Sequence, residues 1–153
     1  MLGRDRIQYK TTDQIRLMRK AGLVVADALD AVRAALRPGV TTKELDAVAH
    51  DVIRSAGAVP SFLGYGHPPF PAVTCISVNE EIVHGIPSKK RVLREGNLVS
   101  VDAGVHFDGL HADSATTIGV GEISPEAQRL LDVTQASLAA GIAAARVGNH
   151  VGD

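Results

Sequence analysis

The chain has 153 residues, 45% hydrophobic and 22% charged, with a formal net charge of −1. That composition fits one soluble domain with its own core, and the scattered basic residues exclude a nucleic-acid footprint, Lys89-Lys90-Arg91 being most simply a solvated turn. A lone cysteine, Cys75, excludes an internal disulfide and points to a reducing, cytoplasmic setting.

The first ten residues contain no signal-peptide core, and residues 1–12 read as a short N-terminal extension. From Asp13, the positions Ile15, Leu17, Met18, Leu23, Val24, Ala28, Leu29, Val32 and Leu36 keep a helical period that stops at Pro38-Gly39. Thr41 or Thr42 caps a second helix, with Leu45, Val48, Ala49, Val52 and Ile53 as its buried stripe and Gly57 closing it. Residues 61–72, SFLGYGHPPFPA, are too broken by Gly and Pro for regular structure.

Three strand-like segments follow: Val73 to Val78, Asn97 to Phe107 and Leu110 to Val120. Asp108-Gly109 between the last two signals a type I′ hairpin. Ser124 caps a third helix, with Pro125 in its first turn, that runs to about Arg146. Its longest apolar stretch, Ala136 to Ala145, is far shorter than the roughly 18 residues a membrane span needs. Two helices, an antiparallel sheet and a further helix make an α+β protein. Arg37-x-Gly39 after the first helix recurs as Arg146-x-Gly148 after the third. On that reading the chain restarts its own opening unit and stops at the new unit's cap.

The chemistry concentrates in LVSVDAGVHFDGLHADSATT. With Asp108-Gly109 as a two-residue turn, Phe107 pairs with Leu110, His106 with His111 and Gly104 with Asp113. Asp102 then shares a face with Asp113 as its diagonal neighbour, roughly 7–8 Å away at the backbone. Two carboxylates on one face of an apolar hairpin repel unless a cation or proton lies between them, and two-metal hydrolytic sites need such a pair. A metal is therefore preferred to a purely structural role. His106 and His111 are candidate ligands by the same register, but the plainer reading, polar residues near the exposed end of the hairpin, is preferred. His84, beside Gly85 and before Pro87, lies at a strand end or in a loop, and spacing leaves its role open. No Gly-x-Ser-x-Gly elbow and no phosphate-cradling glycine loop is present.

Cys75-Ile76-Ser77-Val78-Asn79-Glu80 followed by Val83-His84-Gly85-Ile86-Pro87 resembles the type I methionine aminopeptidases. So do Val101-Asp102-Ala103-Gly104 with His111-Ala112-Asp113, and the opening from Ile15 through Arg37-Pro38-Gly39 to Leu45-Asp46. Proline-specific dipeptidases share the aspartate hairpin but not the NEEIVHGIP segment.

The resemblance implies a pita-bread α+β fold, an antiparallel sheet covered by helices, here cut to about its first half. Residues 1–153 would then be the N-terminal part of a single catalytic domain. It implies two divalent ions, Mn, Co, Fe or Zn, with Asp102 matching a chelating aspartate and Asp113 the bridging one. His84 matches the histidine that hydrogen-bonds the substrate near its scissile amide. Tyr65, Cys75 and Phe70 match the pocket for the methionine side chain, although Gly66 to Pro71 carries a short insertion relative to many members. The remaining ligands of the family, a histidine and two glutamates, together with a second substrate histidine, have no counterpart here, and His150 is not one of them. The implied substrate is the N-terminal methionine of nascent polypeptides, with the ribosome as a candidate docking partner and a monomer expected for the complete enzyme. The competing expectations are a catalytically silent binding protein on this fold and an Xaa-Pro aminopeptidase or dipeptidase relative.

Overall fold

Two threonines start the helices that cover the sheet. In α1 (Thr12–Ala35) the Thr11 hydroxyl accepts from the Gln14 N–H at 3.2 Å while the Gln14 side chain accepts from the Thr11 N–H at 2.8 Å. In α2 (Thr42–Ser55) Thr41 and Glu44 repeat this reciprocal pairing at 3.2 and 2.8 Å. Each arrangement satisfies two backbone donors that a helix start otherwise leaves open. α2 gives way to Gly57 in the left-handed region, at φ 72°. The computed structural model describes residues 8–153, so most of the expected N-terminal extension lies outside it.

Four strands form one antiparallel sheet: β1 (Val59–Pro60), β2 (Thr74–Val78), β3 (Leu98–Phe107) and β4 (Leu110–Gly119). β4 pairs with β3 along its whole length. The other edge of β3 is shared, β2 running against Val99 to Ala103 and β1 against Val105 and His106. β3 is therefore the central strand, and the outer edge of β4 carries no strand among the described residues.

The period-two alternation gives β3 two different faces. Val99, Val101, Ala103 and Val105 point into the core with Ile76 and Val78 of β2 and with Ala21, Val25, Ala28, Val32, Leu45, Ala49 and Ile53 of the two helices. Ser100, Asp102, Gly104 and His106 occupy the opposite face. The alanines of α1 let that helix lie close against the sheet. Its buried stripe is consequently narrower than the apolar period suggests, and Ile15, Met18 and Leu23 are exposed.

β1 is absent from the sequence reading. It is only two residues long, and Pro60, having no N–H to give, suits a strand edge. α3 (Pro125–Ala144) starts as expected, with the Ser124 hydroxyl accepting from the Ala127 N–H at 3.1 Å, but buries no residue. Leu130, Val133, Leu138 and Ile142 remain exposed along it. Gly39 after α1 and Gly148 after α3 share a left-handed backbone, φ 91° and 96°. Among the described residues no helix is long and apolar enough to cross a membrane.

Candidate active site

The hairpin turn sets the site's register. Asp108 and Gly109 both have positive φ, 48° and 81°, as a type I′ turn requires. Phe107 and Leu110 flank it as partners, followed by His106–His111, Gly104–Asp113 and Asp102–Ala115. In a two-residue hairpin the flanking pair is hydrogen-bonded, and the pairs then alternate. His106–His111 and Gly104–Asp113 are thus non-hydrogen-bonded pairs, with Cα atoms roughly 4.5 Å apart. Asp102 lies diagonal to Asp113 on the same face.

The Asp102 carboxyl is in electrostatic difficulty. Its Oδ1 is buried with no hydrogen-bond partner among the described residues. Burial first, then the charge of Asp113 and the hydrogen bond between the two carboxyls, push its pKa from 3.8 up to about 6, with His84 pulling weakly the other way. An orphaned carboxylate oxygen beside a second carboxylate is the donor chemistry a hard divalent ion accepts. The two residues fit a share of a metal site. Among the described residues there is no group of three or more potential ligands.

The raised pKa has a consequence for stability. Between about pH 4 and 6 the folded chain retains a proton that the unfolded chain has lost. This contribution is fully present below the unfolded value and is lost as pH rises through about 6. The metal-free chain should therefore lose melting temperature between about pH 4 and pH 6, and Asp102→Asn should flatten that loss. Thermal melts of both proteins across this range check it; equal slopes would show that Asp102 is not the responsible group.

Cys75 sits directly opposite Asp102 on β2. Burial, followed by the charges of Asp102, Asp113 and Asp46, raises its thiol to about 11, so it stays protonated and serves as a small apolar wall.

His84 is delivered by a loop laid along the free edge of β2. The Ile76 N–H donates to the Gly85 carbonyl at 2.9 Å, and the Gly85 N–H donates to Ser77 Oγ at 3.1 Å. A Cβ on Gly85 would stand 2.7 Å from the Ile76 carbonyl carbon and 2.8 Å from Ser77 Cα, so only glycine permits this approach. His84 itself has φ 60°, a left-handed conformation for a non-glycine residue, and strain of this kind clusters at functional sites. Gly85→Ala should cost about 1–3 kcal/mol of stability by overpacking and shift the His84 imidazole resonances. A urea midpoint and a histidine NMR spectrum together test this, and an unchanged spectrum would mean that the loop does not depend on Gly85.

The remaining wall comes from the connection before β2. Ser61 donates its N–H to the Gly104 carbonyl at 2.8 Å, seating Phe62 over Gly104, where an added Cβ would lie 2.8 Å from the ring. The following loop is braced by Gly64 N–H to Phe70 O and Phe70 N–H to Tyr65 O, both 2.8 Å. The result is a cavity of about 380 Å3 lined by Phe62, Tyr65, Pro68, Phe70, Cys75, His84, Asp102 and Asp113.

All six residues singled out in the sequence, His84, Tyr65, Cys75, Phe70, Asp102 and Asp113, meet at this one cavity. Phe62 and Pro68 were not foreseen. A signal for Phe62 existed in Gly104, because a glycine inside a strand marks a close approach by another group.

A helix-covered antiparallel sheet with an aspartate pair on its open face defines the pita-bread metallopeptidase architecture. The sequence matches the model of metallopeptidase family M24 over residues 16–153, and the chain belongs to that family. It is 47% identical over 147 residues to a methionine aminopeptidase of Clostridium acetobutylicum, covering 96% of this chain and 58% of the relative. It is 48% identical over 151 residues to methionine aminopeptidase 1 of Mycobacterium tuberculosis, covering 99% and 56% respectively. The crystal structure of a methionine aminopeptidase from Thermotoga maritima superposes with a TM-score of 0.86 at 39% identity, covering 90% of this chain and 54% of that one. The chain thus spans a little over half the length of the curated relatives it matches.

Proposed function

We propose that the protein carrying this chain removes N-terminal methionine from nascent polypeptides, and that the chain supplies the side-chain pocket, a substrate histidine and two of the metal ligands. The observation that carries this reading is the orphaned Asp102 Oδ1, in a carboxyl that lines the same apolar cavity as Asp113. A carboxylate pair with no cation to serve would be a costly ornament for a binding module. The similarity to methionine aminopeptidases at 47–48% identity supports the substrate.

Asp102 and Asp113 would hold two divalent ions, Mn, Co, Fe or Zn. Bound ions would supply carbonyl polarisation and a water made nucleophilic near neutral pH. Phe62, Tyr65, Phe70 and Cys75 exclude water from an unbranched apolar side chain, which methionine satisfies. His84, at the same cavity, hydrogen-bonds the substrate near its scissile amide and holds it in line with the carboxylates. We assign residues 1–153 to the N-terminal part of one catalytic domain, with 1–12 as a short N-terminal extension. The complete enzyme is read as a cytoplasmic monomer with the ribosome as a docking partner.

The test is methionine release from a Met-Ala-Ser peptide by the protein at the full length its gene encodes, with added Mn²⁺ or Co²⁺. Release that a chelator stops and Asp102→Asn abolishes is expected. Cleavage confined to Xaa-Pro peptides, or the absence of cleavage with every ion, would overturn the assignment.

A further inference from the structure

The register that builds the carboxylate pair also opposes two histidines for which the proposed hydrolysis has no use. His106 and His111 are direct cross-strand partners in a non-hydrogen-bonded pair, the closer of the two antiparallel spacings. Their ring centroids are 4.7 Å apart, with planes tilted by 43°. His111 Nδ1 lies 2.9 Å from Ser61 Oγ, and Ser61 is itself pinned by its N–H to the Gly104 carbonyl. Neither histidine is ion-paired among the described residues.

We propose that His106 and His111 form a two-imidazole site for a nitrogen-preferring transition ion, Cu²⁺ above Zn²⁺ and Ni²⁺, distinct from the carboxylate pair. Two rings at this separation can converge on one ion, since imidazole nitrogens ligate at roughly 2.0–2.1 Å. Stacking of two polar rings gives little stabilisation, whereas ligation uses both. The Ser61 hydroxyl plays the part that an outer oxygen plays at protein metal sites: it occupies Nδ1 of His111, fixes the ring plane and leaves Nε2 as the ligating nitrogen. The two sites select by donor type. Paired carboxylates suit hard ions such as Mn²⁺, and imidazoles suit Cu²⁺ and Zn²⁺, with Cu²⁺ the tightest of the series. This inference does not depend on the proposed peptidase activity.

The experiment uses the Asp102→Asn/Asp113→Asn variant, its fold checked by circular dichroism, so that the carboxylate pair no longer competes. Calorimetric titration with Cu²⁺ should show one bound equivalent, weakened at least about tenfold by His111→Gln or His106→Gln and about tenfold by Ser61→Ala. Paramagnetic broadening in the unsubstituted chain is a second readout that needs no substitution of either histidine. The His106 and His111 imidazole signals should broaden first. Cu²⁺ affinity undiminished from the parent in both histidine variants, or broadening that begins at His67 or His150, would overturn the proposal.

Discussion

Replacing Asp46 with alanine is expected to remove about 3–5 kcal/mol of folding stability, the cost of breaking a buried charged cluster. Asp46 is 3% exposed. Its Oδ1 accepts from the Val73 N–H, the Thr74 N–H and the Thr74 hydroxyl at 3.0, 3.0 and 2.8 Å, and its Oδ2 accepts from Lys43 at 2.7 Å. Alanine would strand three buried donors, each left unpaired at about 1–3 kcal/mol. Since a domain is typically stable by only about 5–15 kcal/mol, this is a large fraction of the total. Asp46→Asn keeps one acceptor and should cost markedly less. Urea unfolding of the three proteins decides the matter, and a loss below about 1 kcal/mol for the alanine variant would show that water replaces the carboxylate. The effect reaches the site as well, because Asp46 ties α2 to the first residue of β2, and the next residue, Cys75, faces Asp102.

The second large effect has opposite signs for binding and for stability. Asp102→Asn should weaken Mn²⁺ binding by the chain at least about tenfold, as removal of a ligand does at minimum, and Asp113→Asn likewise. At neutral pH the same Asp102→Asn change should raise the metal-free melting temperature, because it removes a carboxylate whose ionised form burial and Asp113 both disfavour. Stability sacrificed for function shows this pattern. Electron paramagnetic resonance of free Mn²⁺ reads the first effect and a thermal melt at about pH 7.5 the second. A variant that binds Mn²⁺ undiminished would remove Asp102 from the metal site.

Much of this was readable in the sequence because the informative signals were local. A two-residue Asp-Gly turn allows one register, and that register alone puts Asp102, Asp113, His106 and His111 on one face. The Thr41-Thr42 pair, and Ser124 with Pro125, announced their helix starts through a residue type whose side chain bonds its own backbone. What escaped depends on contacts distant in the chain. β1 exists only because Val59 and Pro60 meet β3, and Phe62 reaches the cavity through Ser61 and Gly104. The left-handed His84 follows from Gly85 docking on β2, which no period could reveal. On α1 the apolar period ran ahead of the burial, since hydrophobicity marks which residues can be buried and packing selects among them.

The outer edge of β4 ties together two properties that are usually separate. Along a two-residue hairpin the backbone groups of alternate residues turn inward to β3, and those of the residues between them turn outward. On β4 the outward set is that of His111, Asp113, Ala115 and Thr117, whose side chains are also the ones on the open face. Any strand that bonds to this edge grips the backbone of Asp113 itself. Lateral pairing and the aim of the carboxylate are therefore one mechanical event: a neighbour that shifts by two residues would leave the fold intact and still retune the site.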